Sequence, residues 1–477
     1  MAAGRPHILI LMTDQQRADC LSCAGHPIVR TPNMDRLAKE GMRFARAYTT
    51  SPICLPARSS FLSGLFCHNH GQWENVGHLP PNADTYLRHL KRAGYHTAHV
   101  GKSHLYHHEA GHHLNEARPF MRRLGWDDVL ETTGPIDTMY TDSIMTDHWR
   151  EAGCLDTFRN DYRRRREVGD TAATWPSPMP RGETLDDFIG RTAVEYVRGY
   201  DRAQPLLLFV GFGAPHPPWD PPADWAAKYD PAQMDAPQPV SDPGPWVPPA
   251  AATHQRKLEN HSLGITPEIN GRIRSLYYAK ISHADWWFGQ ILGAFEERGL
   301  LEDTAVIFWS DHGEMLCDKG RLHKGVFYEQ TARVPLIVRP ARARRRGQVS
   351  HSLVSLVDLF PTILELAGCD PRPGCFGRSL LGLFAQPDLA LHDAVFGEIH
   401  ERTMIRDERY KMVIDSSGAV LKLYDLLEDP HETLNLAGHP QAGEVTARLQ
   451  HRLLRWHLAT QRRQTLESDP SPLLAAE

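Results

Sequence analysis

The sequence lacks both the long apolar runs of a membrane protein and a strong excess of charge of either sign. No segment of its 477 residues approaches the ~18 uninterrupted apolar residues that a membrane-spanning helix needs. The 53 basic and 58 acidic side chains leave a net charge of −5, so neither a nucleic acid nor a membrane surface is expected as a partner. The apolar stretch at residues 8–12 is too short for a secretory signal, and we expect a cytoplasmic location.

The sequence also lacks regular cysteine spacing and internal repeats. Its eight cysteines are scattered, which fits a reducing compartment better than a disulfide framework. Cys20 and Cys23 form an isolated pair with no second ligand pair nearby, so we interpret them as structural and not as a zinc site. These patterns leave the oligomeric state open, a homo-oligomer included.

What is present is an alternation of buried strands and amphipathic helices. The chain is longer than the about 250–300 residues at which single hydrophobic cores stop growing, so we expect two domains. Continuous apolar runs at residues 7–12, 206–212 and 304–309 are typical of parallel strands buried on both faces. We therefore predict that residues 1–385 form a large α/β/α domain around a mainly parallel sheet.

Short strand candidates separated by tight turns dominate residues 386–477. They lie at residues 394–399, 402–406, 409–414 and 420–424, and this spacing predicts an antiparallel sheet. A helix over residues 443–458 is expected to pack on that sheet. The second domain is thus predicted to be a small α+β unit.

Polar side chains follow several predicted strands of the large domain. Because the carboxyl ends of parallel strands meet at one edge of a sheet, residues far apart in sequence are expected to converge there. Taken alone, Asp14 would be interpreted as the cap of a turn, but the convergence of several groups outweighs that interpretation. The candidates are Asp14, Gln15, Cys54, Arg58, Lys102, His104, His216, Asp311 and His312, with Lys324 shortly after.

Some of these candidates suit a divalent metal ion. The carboxylates of Asp14 and Asp311, with the side-chain oxygen of Gln15, form a hard, oxygen-rich site that favours Ca²⁺. The imidazole of His312 leaves Mn²⁺ open as a second choice. A divalent ion in this place would polarise a substrate oxygen and favour an ionised nucleophile.

The other candidates suit a doubly charged tetrahedral oxyanion. The cations of Arg58, Lys102 and Lys324 would stabilise its nonbridging oxygens and a leaving group. The imidazoles of His104 and His216 titrate near neutral pH and can transfer protons.

Residues 54–64, with the sequence CLPARSSFLSG, contain the candidate nucleophile. Residues 59–64 are predicted to form the first turns of a short helix, which places Cys54 beside backbone N–H groups that favour an anion. An isolated cysteine would more often be a small buried residue. The full spacing is Cys, any residue, Pro, Ala or Ser, Arg, four residues, Ser or Thr, and Gly. It resembles the signature of the type I sulfatases of the alkaline phosphatase superfamily.

The resemblance extends over most of the chain, because residues 423–437 are also similar to the C-terminal segment of bacterial sulfatases. It implies an alkaline-phosphatase-like fold. It also implies hydrolysis of a sulfate ester, carried by a small molecule or a saccharide, to an alcohol and inorganic sulfate. A maturation enzyme would oxidise Cys54 to formylglycine, and the hydrated aldehyde would be the nucleophile.

The same resemblance implies a role for each candidate. The hydrate would attack sulfur while Lys102 holds the sulfate. His216, with Lys324 beside it, would protonate the leaving oxygen. His104 would then take a proton from the remaining hydroxyl and expel sulfate, and Arg58 would stabilise the diol. The implied metal ligands are Asp14, Gln15, Asp311 and His312.

Two positions depart from the commonest sulfatase pattern. Many members have two consecutive Asp residues where this chain has Asp14 and Gln15, and Asp-Asn where it has Asp311 and His312. The Gln and His resemble choline sulfatases and phosphonate monoester hydrolases. Hydrolysis of a phosphonate monoester or phosphodiester by the same formylglycine is therefore the alternative function. Residues 101–104, with the sequence GKSH, favour the sulfatase, because Tyr and Thr are expected there in the phosphonate enzymes.

A third hypothesis is a non-catalytic binding protein, which would follow if Cys54 stayed a thiol. The sequence does not specify the alcohol that carries the sulfate. Substrate specificity usually lies in loops, and two segments are expected to shape the pocket. They are the loop rich in proline and tryptophan at residues 215–249 and residues 105–182, whose later part has no regular pattern.

Overall fold

A computed structural model describes residues 4–240, 264–342, 347–370 and 374–461 of the chain. Trp246, which belongs to the predicted loop at residues 215–249, lies outside the described residues. None of the described helices combines the length and the apolar character needed to cross a membrane.

A nine-stranded sheet forms the centre of the large domain. Its order is β4-β3-β5-β1-β6-β8-β2-β7, and β9 pairs with β2. All strands run in one direction except β7 and β8, so the prediction of a mainly parallel sheet is confirmed. The strands are β1 (His7–Asp14), β2 (Met42–Tyr48), β3 (His96–Lys102), β4 (Asp128–Thr132), β5 (Leu206–Pro215), β6 (Thr304–Ser310), β7 (Arg333–Val334), β8 (Leu336–Arg339) and β9 (Gln348–Ser355).

Strand β1 shows why the central strands are apolar throughout. It lies between β5 and β6, and successive side chains of a strand point to opposite faces. Ile8, Ile10 and Met12 enter one hydrophobic core, whereas Leu9 and Leu11 enter the other. Both faces of β1 are therefore covered, and a continuous apolar run is the sequence that such a strand requires.

Helices cover both faces of the sheet and complete the predicted α/β/α arrangement. One core contains residues of α2, α4, α5 and α12, and the other contains residues of α1, α7, α8 and α10. The helices of the described residues are α1 (Pro32–Glu40), α2 (Cys54–Ser63), α3 (Cys67–His70), α4 (Tyr86–Arg92), α5 (Arg118–Leu124), α6 (Ile144–Glu151), α7 (Leu155–Val168), α8 (Leu185–Gly199), α9 (Ala223–Ala226), α10 (Pro267–Glu297), α11 (Glu329–Ala332), α12 (Leu359–Leu366) and α13 (Gly443–Ala459).

Four antiparallel strands form a separate sheet near the C-terminus, as predicted. They are β10 (Ala394–Ile399), β11 (Arg402–Asp407), β12 (Tyr410–Asp415) and β13 (Val420–Asp425), paired in sequence order. Helix α13 packs on this sheet through Leu449 and Leu453, which join a core with Ile405, Met412 and Leu423.

Three local expectations differ from the structure. Helix α2 begins at Cys54 itself and not at residue 59, because Pro56 is tolerated in the first turn of a helix, where its missing N–H has no partner to lose. Residues 114–182 are more regular than expected, since they contain β4 and α5 to α7. Strand β9 was not predicted because its first half, residues 348–351, is mostly polar and largely exposed.

Candidate active site

The carboxyl ends of four neighbouring strands supply the centre of the site. In the order β3, β5, β1 and β6, these strands end at or just before Lys102, His216, Asp14 and Asp311. Asp14 and Asp311 are completely buried, and His216 is half-buried. The sheet order thus gathers residues that are up to about three hundred positions apart in the sequence.

Cys54 reaches the same edge from the first turn of α2. Its Sγ lies 3.1 Å from Nε2 of His312 and 3.0 Å from Nζ of Lys324. The next backbone N–H, that of Leu55, donates to Oδ1 of Asn75 at 3.0 Å. Asn75 therefore satisfies one of the free N–H groups at the start of the helix and holds that start against the loop.

Arg58 is one turn further along α2 and neutralises both buried carboxylates. Its Nε donates to Oδ2 of Asp311 at 2.9 Å, and its second terminal nitrogen lies 3.3 Å from Oδ2 of Asp14. Its other terminal nitrogen donates to the backbone carbonyls of Lys102 and Ser103, both at 3.1 Å. The guanidinium consequently ties α2 to the ends of β1, β3 and β6.

Asp14 also forms an ion pair with Lys102, whose ammonium donates to Oδ2 of Asp14. Burial acts to raise the pKa of Asp14, but Lys102, His216 and Arg58 outweigh it and hold the pKa well below its usual range. A Cβ at position 134 would lie 2.8 Å from Nζ of Lys102, so the glycine there leaves room for the ammonium.

His312 is oriented by its backbone neighbour. A carbonyl can only accept, so Nδ1–H of His312 donates to the carbonyl of Gly313 at 2.9 Å. Its Nε2 faces Sγ of Cys54 and, when the ring is neutral, carries the lone pair that an ion would need. Histidine ligands of metals are held in this way, with one ring nitrogen bound to a carbonyl and the other free for the ion.

A divalent ion fits the donor set that results. One potential ligand atom from each of Asp14, Cys54, Asp311 and His312 lies within 4.8 Å of the others, and all four residues are buried. Two carboxylates and one imidazole nitrogen provide hard and borderline ligands. The donor chemistry therefore matches the metal site that the sequence predicts at Asp14, Asp311 and His312.

Gln15 lies beside this cluster in a left-handed backbone conformation, with φ of 70°. Its Oε1 accepts from Nζ of Lys324 at 2.6 Å, and its Nε2 donates to Glu314. Glu314 is fully buried and was not among the sequence candidates. The signal that could have found it is its place in the polar run that follows β6, two residues after His312.

The thiol of Cys54 differs electrostatically from the other cysteines. Burial acts to raise its pKa, but the ammonium of Lys324 and the imidazole of His312 outweigh burial and lower the pKa to about 6. Burial raises the pKa of the other seven, which are Cys20, Cys23, Cys67, Cys154, Cys317, Cys369 and Cys375. Position 54 thus favours an anion.

His104 follows Lys102 by two positions. It is almost fully buried and has a φ of 50°. Burial and the charges of Lys102 and His108 hold the pKa of His104 well below its usual range, so the ring is neutral at pH 7. Its Nδ1 has no hydrogen-bond partner among the described residues. Nδ1 of the neighbouring His108 lies 3.3 Å from Oδ2 of Asp137, and neither residue was among the sequence candidates.

His216 presents one ring nitrogen to the site. Its Nδ1–H donates to the carbonyl of Pro217 at 2.5 Å, which leaves Nε2 free. Burial and the charge of Lys324 lower the pKa of His216 well below its usual range. Nζ of Lys280 donates to the backbone carbonyls of His216 and Pro218, both at 3.0 Å, and so holds the loop that carries this imidazole.

The family model described as Sulfatase matches residues 6–369, about three quarters of the chain. The chain belongs to the sulfatase family. A second model, described as N-sulphoglucosamine sulphohydrolase, C-terminal, matches residues 317–459. This protein is therefore an enzyme of the sulfuric ester hydrolase class, and the resemblance inferred from residues 54–64 is confirmed.

Individual relatives match nearly the whole length of the chain. An arylsulfatase of Clostridium perfringens is 28% identical over 451 residues, which cover 91% of this chain and 90% of the relative. The phosphonate monoester hydrolase of Agrobacterium radiobacter shares the fold with a TM-score of 0.77 and 24% identity, and 96% of each chain is covered. A protein solved in complex with D-glucosamine-2-N,6-O-disulfate has a TM-score of 0.74 and 21% identity, with 98% of this chain and 100% of that chain covered.

In this sulfatase the ten sequence candidates lie around one sheet edge. Contacts between side chains connect eight of them in a single cluster: Asp14, Gln15, Cys54, Arg58, Lys102, Asp311, His312 and Lys324. His104 and His216 make no hydrogen bond to that cluster through their side chains among the described residues.

Proposed function

We propose that this sulfatase cleaves its sulfate ester through a formylglycine hydrate made from Cys54. The observation that carries the proposal is the place of Sγ of Cys54, which lies within 3.1 Å of both His312 and Lys324 inside a buried cluster of carboxylates and cations. Sγ stands in for the oxygens that Cβ of formylglycine would carry. A nucleophile in this environment is favoured as an anion.

We further propose that Asp14, Asp311 and His312 hold a divalent ion, with the amide oxygen of Gln15 as a fourth ligand. Such an ion, when bound, polarises a substrate oxygen and favours an ionised nucleophile. The two carboxylates make Ca²⁺ the first choice, and the imidazole keeps Mn²⁺ as the second. For Gln15 to serve, its Oε1 must be shared between the ion and Lys324, which it contacts here.

In the first step, one hydroxyl of the hydrate, ionised by loss of its proton to solvent, would attack sulfur, and the bond between sulfur and the alcohol oxygen would break. Lys102 and Lys324 neutralise the nonbridging and leaving oxygens. Nε2 of His216, the nitrogen not bonded to Pro217, delivers the proton to the departing alcohol. The negative charge of a bound sulfate ester raises the pKa of His216 and so favours the protonated ring that this step needs.

In the second step, His104 removes the proton of the remaining hydroxyl. The bond between the hydrate carbon and the sulfate oxygen breaks, sulfate leaves and the aldehyde is restored. The lowered pKa of His104 suits this role, because the ring is already neutral and able to accept a proton at pH 7. Water then adds to the aldehyde to form the hydrate again, with Arg58 beside it.

The alternative is hydrolysis of a phosphonate monoester or phosphodiester by the same hydrate. It is supported by the fold shared with the Agrobacterium radiobacter phosphonate monoester hydrolase and by the Gln15 and His312 pair. The presence of Lys102 and His104 favours the sulfate ester. For this chain we propose a small sulfated molecule or a sulfated saccharide as substrate, and the structural relative solved with D-glucosamine-2-N,6-O-disulfate supports the saccharide.

Two measurements test the mechanism. The mass of the peptide containing Cys54, isolated from the native host, should be about 18 Da lower than that of the cysteine form. The kcat/KM for an aryl sulfate should exceed that for the matching aryl phosphonate. A wholly unmodified peptide would support the non-catalytic binding protein, and a strong phosphonate preference would support the alternative hydrolase.

Three further expectations complete the proposal. A maturation enzyme of the host supplies the oxidation of Cys54, and the cytoplasm is the proposed compartment. We propose a domain boundary near residue 385, supported by the separate sheet that begins at Ala394. A homo-oligomer is compatible with this arrangement.

A further inference from the structure

A second cationic site is a cavity between the two sheets, which Cys54 does not line. We call it the arginine cleft, and its volume is about 290 Å³. The large domain contributes Arg17, Arg46 and Arg333, and strand β11 of the small sheet contributes Arg406. None of the ten candidate active-site residues lines this cavity.

Two of the four arginines are neutralised by carboxylates. Arg17 binds Asp318 at 2.8 Å and also binds Asp19. Arg46 binds Glu408 through both terminal nitrogens, at 2.6 and 3.0 Å. These two ion pairs form part of the walls of the cleft. Because Arg17 and Arg46 are already paired with carboxylates, neither of them is expected to hold a ligand.

The other two arginines are not neutralised in this way. Arg406 is only 6% exposed, and Nε donates to the hydroxyl of Tyr48 at 3.2 Å, its one hydrogen bond within the described ranges. One of its terminal nitrogens is buried without a hydrogen-bond partner among the described residues. No carboxylate of the described chain lies within ion-pair distance of this guanidinium.

Arg333 is the more accessible of this pair. Its nearest carboxylate among the described residues is that of Glu329, which lies 3.6 Å from Nε without forming a hydrogen bond, and the charge of Asp19 also acts on it. The same carboxylate already accepts from Lys411 and Tyr48, both at 3.0 Å. A guanidinium has five N–H donors, so Arg333 and Arg406 together leave most of their donors without an acceptor in the described chain.

A buried guanidinium nitrogen without an acceptor, as in Arg406, is costly, and an anion between the two arginines would reduce that cost. We propose that the arginine cleft binds a small tetrahedral oxyanion, of the chemical class of inorganic sulfate or phosphate. Arg333 and Arg406 would hold it by paired N–H donors, the geometry in which arginine binds oxyanions most strongly. The half-exposed side chain of Arg333 provides the way in.

The cleft is connected to the active site by the backbone. The carbonyl of Gln330, which lines the cleft, accepts from the N–H of Glu314 at 3.0 Å. Arg17 donates to the carbonyl of Met315 at 3.3 Å. An oxyanion in the cleft would thus bind residues of both sheets and support the turn that carries Glu314, the partner of Gln15.

The test uses selenate, a sulfate analogue whose selenium can be located by anomalous scattering. In crystals of the full chain soaked with selenate, an anomalous peak is expected between Arg333 and Arg406 in addition to any peak beside Lys102. In solution, calorimetric titration with sulfate should show a site whose affinity falls about tenfold or more in Arg333→Gln and in Arg406→Gln. Arg36→Gln, which removes an exposed arginine outside the cleft, should leave it unchanged.

A Lys102→Ala background separates the two sites, because it weakens binding at Cys54 and leaves the cleft intact. A selenate peak only beside Lys102 would overturn the proposal, as would a cleft peak that persists undiminished in both arginine variants. A cleft peak without a matching solution site would mark an adventitious ion only, and this outcome also contradicts the proposal. None of these outcomes depends on turnover, so the proposed sulfate ester hydrolysis would stand or fall separately.

Discussion

Arg58 in the catalytic cluster and Arg406 in the arginine cleft are buried to nearly the same extent, with 2% and 6% exposed. Their surroundings are opposite. Arg58 lies 2.9 Å from Asp311 and 3.3 Å from Asp14, whereas Arg406 has no carboxylate within ion-pair distance among the described residues. One guanidinium is part of a completed charge cluster, and the other is available to an anion.

Burial alone therefore does not determine the role of a charged side chain. A buried cation that neutralises protein carboxylates is needed for folding, and its removal leaves charges without compensation. A buried cation without a carboxylate costs stability in the free protein and gains it when a ligand binds. The two regions should therefore respond differently to the same substitutions.

The largest effect is expected from Cys54→Ala. Loss of the nucleophile should lower kcat/KM for an aryl sulfate by at least about 10⁴-fold. Selenate binding in the arginine cleft should be unaffected, which would separate the two regions. Cys23→Ala, in a half-buried cysteine outside the site, is the matched control and should retain activity. Substantial turnover by Cys54→Ala would contradict the proposed nucleophile.

Arg58→Met and Arg406→Met test the comparison directly. In the presence of a chelator, Arg58→Met should lower the free energy of unfolding by about 3–5 kcal/mol, because Asp14 and Asp311 lose their cation. Arg406→Met should change it by less than about 1 kcal/mol in anion-free buffer, since no ion pair is broken. Urea unfolding measures both values.

Equal losses of unfolding free energy in Arg58→Met and Arg406→Met would contradict the proposed difference between a paired and an unpaired buried arginine. Saturating Ca²⁺ sharpens the test, because a divalent ion neutralises the same carboxylates. It should recover part of the stability of Arg58→Met and none of that of Arg406→Met.

Glu314→Gln is expected to have an intermediate effect, on metal affinity. Glu314 holds the amide of Gln15, and outer partners of this kind are worth about 10–100-fold in metal affinity. Calorimetric titration with Ca²⁺ and with Mn²⁺ measures the change. Glu329→Gln, the corresponding change beside the arginine cleft, should leave metal affinity as it is. Identical affinities in wild type and Glu314→Gln would show that Gln15 does not need this partner.

The smallest signal is the titration of one thiol. In unconverted, metal-free protein the thiolate of Cys54 should appear as the pH rises through about 6, measured as ultraviolet thiolate absorbance minus that of Cys54→Ala. Because the folded state lowers this pKa from 9.0, the stability it contributes is present above pH 9 and is lost as the pH falls towards 6.

Lys324→Met should move this midpoint upwards, since the ammonium is the main group that lowers the pKa of Cys54. Lys228→Met, which removes an exposed lysine, should not move it. A midpoint near 9 in the wild type would mean that the cluster does not stabilise an anion at position 54.

The central strands of the large sheet, with their polar ends, and the four strands of the small sheet could be predicted from the sequence, whereas β4 and β9 could not. Continuous apolar runs occur where a strand is covered on both faces, and Asp14, Lys102, His216 and Asp311 follow such runs directly. The type of each sheet followed from the same patterns, because runs alternating with helices predict parallel pairing and closely spaced strands predict antiparallel pairing.

The partners of those residues could not be predicted. Glu314 holds Gln15 across 299 positions, and His108 lies beside Asp137 behind His104. The local sequence around each of them carries no distinguishing pattern. The arginine cleft could be predicted even less, because its four arginines come from separate strands and loops of both sheets. One of them, Arg17, lies only two positions after Gln15 in the sequence, yet it lines the cleft.

The sequence by itself determined most of the central strands, the family and the residue types available for chemistry. It did so because side-chain periodicity and the spacing within residues 54–64 are local properties. Only the tertiary structure decided which charges neutralise one another, since β1 lies between two strands that follow it by about two hundred and three hundred residues. Long-range pairing thus made Arg58 a structural cation of the site and left Arg406 with no carboxylate within ion-pair distance in the part of the chain that the structure describes.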